Sequence, residues 1–284
     1  MAGISTNRTN IALPTDISAE ILQKTQEESA VMKMARQIAL PGRGLTIPVI
    51  TGDAEAAWVD ETGLKPTSNP SLSQKVMEAY KLAVIVPFSD EFRRDLPQLY
   101  EALVGRLPGA LAQKFDATVF GGVAAPGANF DTFASCTAQS IATDVYGGLV
   151  AADTDIATNG GILNGFVFAP QGKGALLAAT DDNKRPLFIN SVAEGAIPMV
   201  LGAKTEISKG AYVAGSPNQV GVAGDWTQAV YGTVEGVKVS FADQATLTIN
   251  SSPVNLWEHN MFAVRAEIEI GFRADTSVFN RITA

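Results

Sequence analysis

Few residues of this 284-residue chain could do chemistry. Asp153-Thr154-Asp155, followed by Asn159-Gly160, has the start of a calcium loop, in which alternate carboxylates supply oxygen ligands. Such a loop wants a ligand at its fifth position, glycine at its sixth and glutamate at its twelfth. Ala157, Thr158 and Asn164 stand there, so a solvated helix end is the better reading. Gly172-Lys173-Gly174 sets a lysine behind a glycine, but a phosphate loop needs Ser or Thr after that lysine. Gly121-Gly122 lacks the strand–turn–helix setting of a dinucleotide site. His259 is the only histidine; a triad or histidine-based metal site needs it beside a nucleophile or other ligands, whereas its neighbours are Glu258 and Asn260 just before a strand, so a structural or surface role is the better reading. Cys136 is the only cysteine, so no intrachain disulfide and no thiolate metal site can form. The 29 acidic residues admit a glycosidase-like pair, but no spacing selects one. No catalytic, cofactor-binding or metal-binding residue is assigned, and no cofactor is expected.

The elements that would have to position such groups are arranged for something else. Leu45 to Val86 reads as one long excursion with two extended legs. Leu45, Ile47 and Val49 alternate on the outgoing leg; Lys75 to Val86 returns, with Leu82, Val84 and Val86 sharing a face. Gly52 to Ala57 reads as a turn or bulge, and Gly63, Pro66, Asn69 and Pro70 mark an irregular tip. Two such legs reach roughly 65 Å at about 3.3 Å per residue. A compact chain of this length has a radius of gyration of only about 19 Å. A lone two-stranded hairpin is marginal in water, so this arm needs a surface, on its own body or on a neighbour. Trp58, midway along it, either anchors an interface or packs on its own helix.

Around the arm the pattern is regular. Pro14-Thr15-Asp16 opens a helix through Ile17, Ile21 and Leu22, and Thr25-Gln26-Glu27-Glu28 has the form of a capping box for a restart. Ser89 followed by Asp90 and Glu91 offers a helix start, and Asp95-Leu96-Pro97-Gln98 a second one. From there Leu99, Leu103, Leu107, Leu111 and Phe115 make one apolar stripe, bent at Pro108 and stopped by Gly121-Gly122. Pro97 to Phe120 as helix would run about 36 Å. Val123 to Thr137 is a Gly/Ala/Pro-rich linker. Helices are expected over 144–157 and 171–180, and strands over 165–169, 199–201 and 230–239. Phe262 to Phe272 alternates apolar with charged residues as a long half-buried strand.

Composition agrees with a body that is covered by neighbours. Hydrophobic residues make up 46% and charged residues only 18%, below the usual quarter. Mean hydropathy is +0.12, yet no apolar run approaches the ~18 residues that span a bilayer. The formal net charge of −8 argues against gripping nucleic acid, which takes clustered Lys and Arg. An acidic container remains compatible with enclosed DNA. The polar N-terminus lacks the apolar core of a signal peptide, so synthesis in a bacterial-type cytoplasm is expected.

The order of motifs resembles one family. Ile17-Ser18-Ala19-Glu20-Ile21 precedes Ala57-Trp58-Val59-Asp60-Glu61-Thr62; then come Lys81-Leu82-Ala83, Ser89-Asp90-Glu91 and a long helix closing at Phe120-Gly121-Gly122. Later stand Asp181 to Leu187, Leu201-Gly202, Gly224-Asp225-Trp226 and Asn260-Met261-Phe262-Ala263-Val264-Arg265-Ala266-Glu267. Together these resemble the major capsid proteins of tailed bacteriophages. The resemblance implies an α+β fold of the Hong Kong 97-like type, with an N-terminal arm over 1–42 and an extended E-loop over 43–86. It implies a peripheral domain with a long spine helix over 87–138, an axial domain over 139–236, and peripheral return strands over 237–284. The implied product is a virion shell of pentamers and hexamers, assembled in the bacterial host cytoplasm, that encloses double-stranded DNA without specific binding. Expected partners are further copies of the chain, a separate scaffolding protein, a portal and a decoration protein, and no membrane. Implied interface residues are Trp58, Glu61, Lys65, Leu82, Val84, Tyr100 and Arg106. Some members join an E-loop lysine to a neighbour's asparagine; Lys65 and Lys75 lie in that region, but no partner is identifiable and no crosslink is assumed. Two alternatives are an encapsulin-type compartment, which would carry protein cargo, and an α/β hydrolase using a carboxylate pair.

Overall fold

Helix α1 (Thr15–Glu28) and the short α2 (Ala30–Met34) form one helical stretch broken at Ser29. The structure, a computed structural model, describes residues 15–42, 45–50, 72–91, 96–181, 183–188, 199–249 and 251–284. The expected restart at Thr25 does not occur. Thr25 is buried, and its hydroxyl donates back to Ile21 O at 2.7 Å, so the helix runs on. Ser29 makes the break: its backbone is extended and its Oγ accepts from Met32 N at 3.1 Å, as an N-cap does.

Strand β1 (Arg36–Ala39) follows, then β2 (Leu45–Ile50), which pairs antiparallel with β3 (Leu72–Met77) from Leu45↔Met77 to Ile50↔Leu72. This two-stranded sheet joins no other strand among the described residues. The arm expected to extend to Val86 ends sooner. Strand β4 (Tyr80–Ser89) pairs along its whole length with β14 (Met261–Ala274) in the body. Ser89 is therefore the end of a strand, opposite Met261, and not the cap of the long helix. Helix α3 (Leu96–Val119) begins at the second start signal, with Pro97 in its first turn, where the missing N–H costs nothing. Leu107, Leu111, Phe115 and Val119 are all buried, so the stripe continues past Pro108. Gly121 ends it with φ +87°. A Cβ there would lie 2.7 Å from Ala134 Cβ, so glycine is required twice over, by conformation and by space.

Two larger sheets form the body among the described residues. The first runs β1, β10 (Ala229–Thr233), β14 and β11 (Lys238–Ala242), with β4 also on β14. Residues 263–267 of β14 pair with both β11 and β4, so β14 is interior to that sheet. The single strand expected over 230–239 is thus two, parted at Glu235-Gly236. The second sheet takes the order β5 (Thr137–Ser140), β15 (Phe279–Thr283), β9 (Gln219–Gly224), β6 (Gly165–Phe168), β8 (Ala203–Ile207), β7 (Met199–Val200). Helices α4 (Val145–Thr158) and α5 (Pro170–Ala178) pack on it. A hairpin of β12 (Thr246–Ile249) and β13 (Ser252–Asn255) stands apart from both sheets.

The sheets cross the boundary drawn at 236/237. β10 lies before it but belongs to the first sheet; β15 lies after it but belongs to the second. The turn at Asp275 accounts for the switch: its carboxylate accepts from Ser277 N at 3.1 Å and turns the chain out of β14 into β15. The linker over 123–137 is likewise no loose tether. Its Phe133 is fully buried, stacks on Phe279 with centroids 4.5 Å apart, and meets Phe272 and Trp226 edge-on at 5.7 and 5.8 Å. Phe272 belongs to the first sheet and Phe279 to the second, so one ring pins them together.

Candidate assembly interface

The β2–β3 hairpin is tied to the body at its base by a dense polar knot. Arg273, on β14, spends its whole guanidinium there. Nε donates to Val76 O at 2.7 Å, Nη1 to Asp131 Oδ1 at 2.8 Å and Nη2 to Asn129 Oδ1 at 2.7 Å. Lys75 Nζ donates to Ala274 O at 2.7 Å and reaches Asp131 Oδ2 at 3.4 Å, where Ala274 N also donates at 3.2 Å. The Arg273 side chain is only 11% exposed, so these charge-assisted bonds act in a poorly solvated setting and hold the base in one direction. Below the knot Met77 is fully buried. It sits against Gly232 and Gly271, which are register partners in β10 and β14. A Cβ on Gly271 would lie 2.4 Å from Glu78 O, so the crossing chain touches the sheet backbone itself.

A second knot fixes the N-terminal helices. Asp116 is 1% exposed on α3 and accepts from four donors. Ser29 Oγ lies 2.5 Å from Oδ1 and Ser208 Oγ 2.6 Å from Oδ2; Ala30 N and Val31 N add bonds of 3.0 and 3.4 Å. Burial pushes the Asp116 carboxyl above its usual range, against the lowering effect of these hydrogen bonds. One carboxylate on α3 thus bonds the first turn of α2 and reaches the segment after β8. Neither it nor Arg273 stands out in the sequence: their hydrogen-bond partners lie 85 to 197 residues away.

The residues expected at an interface fall into three groups. Trp58, Glu61 and Lys65 lie outside the described residues. Tyr100 and Arg106 lie within α3, but their side chains are also outside what is described. Leu82 and Val84, on β4, are half-buried and pack against the cluster of Leu107, Leu111, Phe262 and Val264 of their own chain. On the opposite face Lys81–Glu269 (3.5 Å) and Arg265–Glu267 (3.1 Å) are solvated pairs, worth little each. Lys75 is held at the hairpin base rather than presented to a neighbour.

The candidate chemical groups are absorbed by structure. Asp153 and Asp155 lie inside α4, a regular helix that continues to Thr158, so no ligand loop forms around them. His259 is exposed in a turn, with Nδ1 2.9 Å from Asn255 O. Cys136 is buried, and that burial, only partly offset by Arg281, pushes its thiol up to about 12. Gly172 is buried on α5, where a Cβ would come within 2.4 Å of Val220 O.

Comparison with known proteins gives one answer. A family model described as the phage capsid family matches residues 9–275. The "Probable major capsid protein gp17" of Mycobacterium phage D29 is 29% identical, over 95% of this chain and 89% of that one. The "Major capsid protein" of Staphylococcus phage 80alpha is 24% identical, over 95% and 84%. Among solved structures, a chain from Gordonia phage Cozz superposes with TM-score 0.72 at 19% identity, covering 90% of this chain and 86% of that one. A chain from the "Capsid of empty GTA particle computed with C5 symmetry" gives 0.65 at 13% identity, covering 100% and 94%. The fold is thus α+β of the Hong Kong 97-like capsid type, and the relatives are structural proteins rather than enzymes. With the match running across residues of both sheets, α3 and the hairpin base, this chain belongs to the phage capsid family and is a subunit of a virion shell.

Proposed function

We propose that copies of this chain close into an icosahedral shell of pentamers and hexamers around double-stranded DNA. The observation that carries this reading is the β2–β3 hairpin: a two-stranded sheet that joins no other described strand, yet leaves the body through a rigid, buried base. A hairpin with that base and no covering sheet of its own finds its stability on another copy. In this reading the hairpin is the E-loop, α3 the spine, the first sheet the peripheral domain, and the second sheet the axial domain. The acidic chain encloses DNA without holding it, because clustered phosphate-binding cations are scarce at a net charge of −8. A scaffolding protein, a portal and a decoration protein complete the expected partners, and assembly takes place in the host cytoplasm.

The test is electron microscopy of the purified chain and of particles recovered from cells. Closed icosahedral particles containing nucleic acid are expected. Deleting residues 52–73 leaves a folded subunit with sharply reduced particle yield. A chain that stays monomeric under every assembly condition, or particles filled with a protein cargo and free of DNA, overturns the reading.

A further inference from the structure

Two patches of opposite character lie at opposite ends of the second sheet. At the β7–β8 end Met199 is 59% exposed, Leu201 39% and Ile207 44%. Beside them Lys33, Arg36 and Lys204 line a groove of about 470 Å3 walled by Trp226. Lys204 Nζ lies 2.9 Å and Lys33 Nζ 3.5 Å from the Glu206 carboxylate. Burial pushes Glu206 up, but its bond from Lys204 and the Lys33 charge outweigh that and hold it below the usual range. Arg36 has no carboxylate partner among the described residues. Three cations face the Glu206 carboxylate and the buried Asp225 carboxylate, which holds the lining Asn164 and Thr227, so one positive charge stays in excess in a chain whose net charge is −8.

At the other end α4 packs over β5 and β15. Its outward face shows Tyr146, 54% exposed, Val150, 37% exposed, and the exposed Asp153, spaced i, i+4, i+7 on one side of the helix. No basic residue occurs in α4. β5 and β8 are four strand positions apart in the sheet order, roughly 19 Å at about 4.8 Å per step. Within one copy the patches cannot meet. Between copies they match: apolar against apolar, cation against carboxylate, each patch finding its opposite.

We propose that the β7–β8 edge of one copy docks on the α4 face of the next, with Lys204 and Arg36 facing the neighbour's Asp153. The contact is head-to-tail, the kind that closes into a ring rather than a two-fold pair. The apolar residues supply burial, and the charges supply direction and register. This rests on the shell reading above and assigns it a specific ring-forming contact.

Paired cysteines test it: position 199 or 201 on the basic side, with position 146 or 150 on α4, in the full chain. The buried Cys136 does not compete. Oxidation of assembled particles is expected to give a ladder of linked subunits ending in closed rings. Particles that give no link from any of the four pairings overturn the docking. A wild-type chain that forms no particles at all instead defeats the shell reading. In a second arm, Arg36→Glu is expected to lower particle yield at least tenfold at low salt with unchanged Tm, and adding Asp153→Arg to the same chain to restore it. Equal yields from all three chains overturn the proposal.

Discussion

Gly232 and Gly271 face each other across adjacent antiparallel strands, and Met77 fills the notch their missing side chains leave. The arm therefore departs from the body through a gap in the sheet surface. At Gly271 the obstacle to a side chain is the Glu78 carbonyl, which is backbone; at Gly232 it is the Leu40 side chain, at 2.5 Å. Gly271→Ala is expected to cost about 1–3 kcal/mol through forced backbone displacement, and more than Gly232→Ala. Chemical denaturation of the two variants ranks them.

Arg273 holds the hairpin base by three separate bonds, so its loss leaves Asp131 partly buried with only Lys75 and one backbone N–H as partners. Arg273→Ala is expected to destabilise the chain by about 3 kcal/mol. Arg273→Lys recovers only part of that, since an ammonium cannot reproduce the planar fork. Hydrogen exchange supplies the sharper readout: amides of 72–77 lose protection, while those of 165–168 and 219–224 keep theirs.

Asp116 links stability to pH. Its carboxyl in the folded chain titrates above the ordinary value of 3.8, so the folded state keeps a proton that the unfolded state releases. The resulting contribution is full below the unfolded pKa and is lost as pH rises toward the folded one. Asp116→Asn removes this titration. The stability of wild type relative to Asp116→Asn is expected to fall as pH is raised from about 4, then level off. The variant also sets an amide N–H2 against donors that needed an acceptor, costing about 1–3 kcal/mol at all pH values. Urea melts of both chains between pH 3 and 8 check each part.

Cys136 is expected to be silent. With its thiol pushed up to about 12, almost no thiolate exists at neutral pH, and burial blocks access besides. An aromatic disulfide reagent should label the chain only as it unfolds, with labelling tracking the loss of structure. Prompt labelling of the native chain at pH 7.5 would contradict this placement.

How much of this the sequence disclosed depended on the distance over which each feature acts. The spine helix was legible because Leu107, Leu111 and Phe115 repeat at helical spacing, and β14 because Phe262 to Phe272 alternates. The true root of the arm was not. Leu82 and Val84 alternate in the same way whether a strand extends onto a neighbour or pairs within its own sheet; a period of two names the faces and not the partner. Arg265 and Arg273 occupy equivalent places in the alternating pattern, yet one is 50% exposed and the other 11%. Asp116 follows Phe115 of the apolar stripe and carries no local pattern of its own. Its serine partners lie 87 and 92 residues away, beyond any local signal.

The late strands β14 and β15 have a temporal consequence. Each takes an inside place in its sheet, β14 between β4 and β11 and β15 between β5 and β9. Until residues 261–283 pair, the first sheet lacks the strand that joins β4 to β10 and β11, and β5 has no link to β9 in the second. Completion of both sheets therefore waits on residues 261–283, and the unpaired strand edges before that point are the stage at which half-made copies are most open to wrong pairing.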